Sequence, residues 1–147
     1  MLKEIYEQPK AVKDTISPRI KDNQIVIEEL GMTDDEIRAI KKIHIIACGS
    51  AYHTGVTAKD GEMVIIVSQS GETADSLAAL RLAKEHGVRT LGIVNVVGSS
   101  IAREADNVMY TWAGPEIAVA TTKAYSCQLV AEYLLALKFA QARGTIN

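Results

Sequence analysis

Apolar residues fall along this 147-residue chain in short β-branched runs, separated by stretches at helical period. Glu62 to Ser68 holds Met63-Val64-Ile65-Ile66-Val67, a run without alternation. It reads as a strand buried on both faces. Ala74 to His86 is a strong helical run, and Gly87 closes it. Ile43-His44-Ile45-Ile46 and Arg89 to Val96 read as two further core strands. Asn107 to Trp112 reads as a short strand near a sheet edge, broken by Ala113-Gly114-Pro115. Glu116 to Tyr125 then leads into the longest helix. Its apolar face continues through Leu129, Val130, Tyr133, Leu134 and Leu137 and ends near Gly144. Strands alternating with helices predict an α/β protein with a parallel sheet.

The flanks are read with the same signals. Residues 1–22 look helical with an interruption at Pro9, where a second helix starts and runs to about Ile20. Ile25-Val26-Ile27 is a short strand or an extended connector. Thr33-Asp34-Asp35-Glu36 is a capping box opening a helix to about Lys42. Gly98-Ser99-Ser100 opens a short helix from Ile101 to Ala105, and capping alone accounts for those serines.

The chemistry concentrates where the central strand ends. Ser68, Ser70 and Thr73 place three hydroxyls within one turn, with Gln69 and Gly71 among them. The helix that follows starts with amides that have no partner inside it and carry partial positive charge. Gly71 lets the backbone come close to a ligand. Strand, hydroxyl-rich turn and helix start together predict an anion site, with phosphate as its guest. Gly49-Ser50 ends the strand at Ile43–Ile46 on the same sheet edge, outside the carboxyl ends of the strands.

Bulk properties exclude several other classes. The net charge of −2 gives no polyanion-binding surface, so nucleic acid is not a partner. No apolar run is long enough to span a membrane. The first residues, Met1 to Glu7, are too polar for a signal peptide. Cys48 and Cys127 lack metal-ligand spacing and suit a reducing, cytoplasmic compartment. His44, His53 and His86 are scattered along the chain, and their structural reading is preferred. No metal, cofactor, phosphate-binding lysine loop, dinucleotide fingerprint or nucleophile elbow is expected.

Ser-Gln-Ser-Gly-Glu-Thr-Ala-Asp-Ser after an apolar strand (Ser68–Ser76) resembles the phosphate loop of the sugar isomerase (SIS) domains. More closely, it is similar to the first such domain of the glutamine–fructose-6-phosphate aminotransferases, the glucosamine-6-phosphate synthases. Glu116-Ile117-Ala118-Val119-Ala120-Thr121-Thr122-Lys123-Ala124-Tyr125 matches a second motif of that family. Ala47-Cys48-Gly49-Ser50-Ala51-Tyr52-His53 and Asn95 to Ser100 match two of its turns. Lys3-Glu4-Ile5 and Glu7-Gln8-Pro9 match the entry into its isomerase half.

The resemblance implies a three-layer SIS fold, a doubly wound parallel sheet flanked by helices with an N-terminal helical extension. Residues 1–30 would be the extension and 31–147 the sugar-phosphate domain. It implies fructose 6-phosphate or glucosamine 6-phosphate held by Ser50, Ser68, Gln69, Ser70, Thr73, Val119 and Ala120. It implies no catalytic residue in this chain. The proton-transfer base would lie in a second SIS domain, and the ammonia source in a glutaminase domain, of a longer homodimeric parent. Met1 would then open a fragment. The family commonly carries two adjacent hydroxyl residues after the glycine of its first turn, where this chain has Ala51 second. It also has a longer helix, a strand and a loop before Met63. That material is missing between about Lys59 and Asp60, either deleted or omitted by an interruption of the chain there.

Two other functions share the fold. A non-catalytic sugar-phosphate sensor would need no base. A stand-alone isomerase or deglycase would, and Glu72 and Glu116 are the only carboxylates near the site. Lys123 invites a reading as a catalytic amine, against which stands a structural or solvent-facing role.

Overall fold

The computed structural model describes residues 1–47, 58–59, 61–117 and 121–146. The main sheet is built from β3 (Lys42–Ile46), β4 (Glu62–Ser68), β5 (Arg89–Val94) and β6 (Asn107–Tyr110). These four strands lie in the order β3-β4-β5-β6, and every pair is parallel. Among the described residues β4 is thus an inner strand, as its unbroken apolar run requires. Met63, Ile65 and Val67 point to one face, and Val64 and Ile66 to the other.

Helices cover both faces. α3 (Ala74–Glu85) and α4 (Ser100–Glu104) pack on Val64 and Ile66 through Ala79, Leu80, Ala83 and Ile101. α5 (Thr122–Ala142) packs on Met63, Ile65 and Val67 through Ala131, Leu134, Leu135 and Phe139. Gly92 of β5 leaves room for this arrangement, since a Cβ there would stand 2.9 Å from the Ile101 side chain. The three-layer α/β architecture expected from the sequence is therefore present. No helix of the described residues is long and apolar enough to cross a membrane.

The N-terminal extension differs from its sequence reading. α1 (Leu2–Ile16) runs without interruption through Pro9, and a 3-10 turn at Ser17–Arg19 follows. Proline removes one amide donor, freeing the Ile5 carbonyl. Pro9 and Ile5 are both exposed, so water can replace that bond. The opposite face of α1 is docked on α5, and the helix continues past Pro9 to Ile16. Ile20–Lys21 and Gln24–Ile25 form a two-stranded antiparallel hairpin, β1 and β2. Asp22 and Asn23 turn it with φ of 49° and 60°, the backbone that a two-residue hairpin turn needs. The strand predicted at Ile25 thus begins one residue earlier and ends there.

α2 (Asp34–Ala39) opens on the capping box read from the sequence. Thr33 Oγ1 accepts from the Glu36 amide at 3.2 Å, and the Thr33 amide donates to Glu36 Oε2 at 2.7 Å. The helix stops before Lys42, because Lys42 already pairs with Glu62 in the sheet. At that end of the sheet His44 Nε2 lies 2.5 Å from Glu62 Oε2, a nearly buried pair that satisfies both groups.

Candidate functional site

The site begins at Ser68, the last residue of β4, and ends at Thr73, the residue before α3. Ser68 is buried. Its hydroxyl accepts from the Gly71 amide at 3.0 Å and lies 3.2 Å from Thr73 Oγ1. Ser70 Oγ accepts from the Glu72 amide at 3.3 Å and remains partly exposed, as do Gln69 and Thr73. The Thr73 side chain accepts no bond from the first amides of α3. Those amides therefore face the turn without a cap from Thr73, the arrangement that favours an anion.

A second turn closes on the first. The Asn95 amide donates to the Gln69 carbonyl at 3.2 Å, and the Ile101 amide to the Gly71 carbonyl at 3.0 Å. Glu72 Oε1 accepts from the Ser100 amide at 2.8 Å. Gly71 has φ +67°, and a Cβ on it would stand 2.1 Å from Ser99 Oγ. The glycine is thus required by the backbone and by the serine turn packed against it. Ser99 itself is buried, and its hydroxyl has no hydrogen-bond partner among the described residues. Sequence reading treated the Ser99-Ser100 turn as a helix cap and missed this lacing. Twenty-eight residues separate Glu72 from Ser100, so no local spacing announces it.

Both carboxylates that a stand-alone isomerase would need are engaged. The hydrogen bonds from Ser100 hold the Glu72 carboxyl below its ordinary range, so it is an ionised acceptor near neutrality. Glu116 Oε1 accepts from the Lys123 amide at 3.0 Å and the Ala124 amide at 3.4 Å, capping α5 from outside. Lys123 is buried, not solvent-facing. Its ammonium lies 2.7 Å from Glu7 Oε2 on α1, and the hydrogen bond it gives holds the Glu7 carboxyl low. The Ile117 amide donates to Glu4 Oε1 at 2.8 Å, so α1 grips this stretch at two points. Ser50, Val119 and Ala120 lie outside the described residues.

The Glu72 bond carries a pH dependence. A depressed carboxyl contributes stability that is present above its unfolded pKa and lost as pH falls through its folded pKa. The Ser100 amide resonance is therefore expected to hold constant through neutral pH and to shift only in acid, below the ordinary carboxylate range. Glu72→Gln should remove that titration. A Ser100 resonance titrating near neutrality would contradict the bond.

Comparison with known proteins agrees with this geometry. Residues 56–138 match the model of the SIS domain. A glutamine–fructose-6-phosphate aminotransferase (isomerizing) of Clostridium tetani is 49% identical over 175 aligned positions, covering 100% of this chain and 29% of that protein. The corresponding protein of Mycolicibacterium smegmatis is 46% identical, covering 99% of this chain and 27% of its own. The C-terminal domain of glucosamine-fructose-6-phosphate aminotransferase from Francisella tularensis superposes with a TM-score of 0.84 at 36% identity. That match covers 99% of this chain and 48% of the other. The chain thus spans under a third of the length of these curated relatives. A family model matching more than half of the chain, over the strands and helices that build the hydroxyl turn, leads to one conclusion: the chain belongs to the SIS domain family.

Proposed function

We propose that this chain binds a sugar phosphate, fructose 6-phosphate or glucosamine 6-phosphate, as the first SIS domain of a glucosamine-6-phosphate synthase. The phosphate sits over the start of α3 and takes hydrogen bonds from Ser68, Gln69, Ser70 and Thr73. Ser50, Val119 and Ala120 line the sugar. The observation that carries this reading is the hydroxyl turn set against the first amides of α3, which the Thr73 side chain does not cap, at the carboxyl end of an inner parallel strand. Amination and isomerisation belong to the parent enzyme, with its glutaminase and second SIS domain. The engagement of Glu72 and Glu116 as caps supports placing the base elsewhere. Residues 1–30 link the domain to what precedes it, and residues 31–147 form the domain. The parent works as a cytoplasmic homodimer.

Calorimetric titration of the chain with fructose 6-phosphate tests the reading. Saturable binding without turnover in the presence of ammonia is expected; turnover would refute it. Ser70→Ala should weaken binding by about 1–3 kcal/mol, roughly 5- to 150-fold, because a donor to a charged oxygen is lost. Its melting temperature should barely move, since the Ser70 hydroxyl is partly exposed and makes only one long bond. Unchanged affinity would remove Ser70 from the site.

A further inference from the structure

Among the described residues four that are not glycine have a positive φ. Asp22 and Asn23 turn the β1–β2 hairpin. The other two, Trp112 at 52° and Thr121 at 46°, stand at either end of residues 113–120. A bulky side chain meets steric resistance in this backbone region and stays there where its surroundings hold it. Strain of this kind gathers at functional sites. The Trp112 ring leans on Tyr110, with centroids 5.5 Å apart, and remains half-exposed. Burial of the indole therefore does not account for the conformation.

The side chain that holds Trp112 in place is Asn95, the residue after β5. Its Oδ1 accepts from Thr111 Oγ1 at 3.2 Å and from the Ala113 amide at 2.9 Å, and so straddles Trp112. Its Nδ2 donates to the Gly114 carbonyl at 2.9 Å. The Ala113 amide can only donate, which fixes the end of the side-chain amide that is oxygen. Thr111 and Ala113 are buried, so truncating Asn95 would leave a buried amide without its acceptor. The backbone of the same residue reaches the other way. Its amide donates to the Gln69 carbonyl at 3.2 Å, inside the hydroxyl turn. One residue thus ties that turn to the start of the stretch that runs on to Glu116, the outside cap of α5.

We propose that Asn95 is a positioning residue for sugar recognition. It sets the spacing between the phosphate turn and residues 113–117, which lead into the sugar-lining residues, and it keeps the Trp112 backbone inverted to do so. The role rests on the sugar-phosphate reading and adds to it the residue that joins the two halves of the site. Asn95 itself touches neither phosphate nor sugar in that reading. A free phosphate needs only the hydroxyl turn and the start of α3. A sugar phosphate needs the second stretch at the right distance as well. Loss of the Asn95 side chain therefore falls on the sugar and spares the phosphate.

The test titrates Asn95→Ala and Asn95→Asp with fructose 6-phosphate and, separately, with inorganic phosphate. Asn95→Asp keeps the shape and both accepted bonds but sets an oxygen against the Gly114 carbonyl. Affinity for fructose 6-phosphate is expected to fall about tenfold in either variant, the effect of one or two lost hydrogen bonds. Inorganic phosphate should bind as it does to the wild type. Trp112 is the one tryptophan of the chain, so its emission reads the tie without ligand and should change in both variants. A role in folding alone would weaken both ligands equally, and that result would overturn the proposal. Wild-type affinity of Asn95→Asp for the sugar phosphate, or unaltered Trp112 emission, would overturn it too. Should Asn95→Ala fail to fold, the isosteric Asn95→Asp decides. A wild-type chain that binds no fructose 6-phosphate would overturn the sugar-phosphate reading itself, and this role with it.

Discussion

Gly71→Ala is expected to cost on the order of 4 kcal/mol of stability and to abolish measurable fructose 6-phosphate binding. Two independent penalties add. A non-glycine residue at φ +67° costs about 1–3 kcal/mol. The new Cβ would also meet Ser99 Oγ at 2.1 Å and Ser99 Cβ at 2.6 Å, contacts that real structures do not tolerate. Overpacking of this kind adds about 1–3 kcal/mol. Ser99 cannot swing aside cheaply, because its own Cβ is involved and the turn is tied by Ser100 to Glu72 and by Ile101 to Gly71. The turn must therefore shift as a body, taking Ser68, Ser70 and Thr73 out of register with the start of α3. Urea unfolding and calorimetric titration measure the two effects. A variant with wild-type affinity would mean that the hydroxyl turn is not the phosphate site.

Arg19→Ala is the second large effect, and it acts far from the sugar. The Arg19 side chain is buried at the junction of α1, the turn at Glu28–Leu30 and the end of β6. Nη1 donates to the Thr15 carbonyl at 2.7 Å, and Nη2 to the Tyr110 carbonyl at 2.7 Å. Nε and Nη2 also reach Glu29 Oε1 at 3.1 and 2.7 Å. Truncation leaves two carbonyls short of a donor and a carboxylate without its cation. Breaking a buried pair from one side costs about 3–5 kcal/mol. Glu29 is one-third exposed and regains water, so the lower end, about 3 kcal/mol, is expected. Arg19→Lys should recover only part, because an ammonium cannot hold the fork geometry that serves three directions. Urea denaturation checks both variants. A loss below about 1 kcal/mol would show that water replaces the guanidinium without penalty.

Legibility along the sequence followed the range of the interactions. The β4 run, the α3 start and the Thr33 capping box were each read from adjacent residues, and each stands where it was placed. Local rules failed at Pro9, where the helix docked on α5 continues past a helix breaker. They left two roles open for Lys123, structural or solvent-facing, because its neighbours in sequence give no hint of its partner, Glu7, 116 residues away. The burial of Arg19 has no local signal either, because its acceptor at Tyr110 is 91 positions downstream.

Apolar run length, helical period and cap spacing are properties of a few consecutive residues, so the chain alone determined its α/β class, the strands of its main sheet and the hydroxyl turn. The tertiary structure decided which polar groups are spoken for. Glu72, Glu116 and Lys123 could each have been chemistry; folding turned them into caps and a buried ion pair. The physical reason is that a buried charge or orphan amide must find a partner wherever the fold brings one, and no rule of spacing reports distances across the sheet.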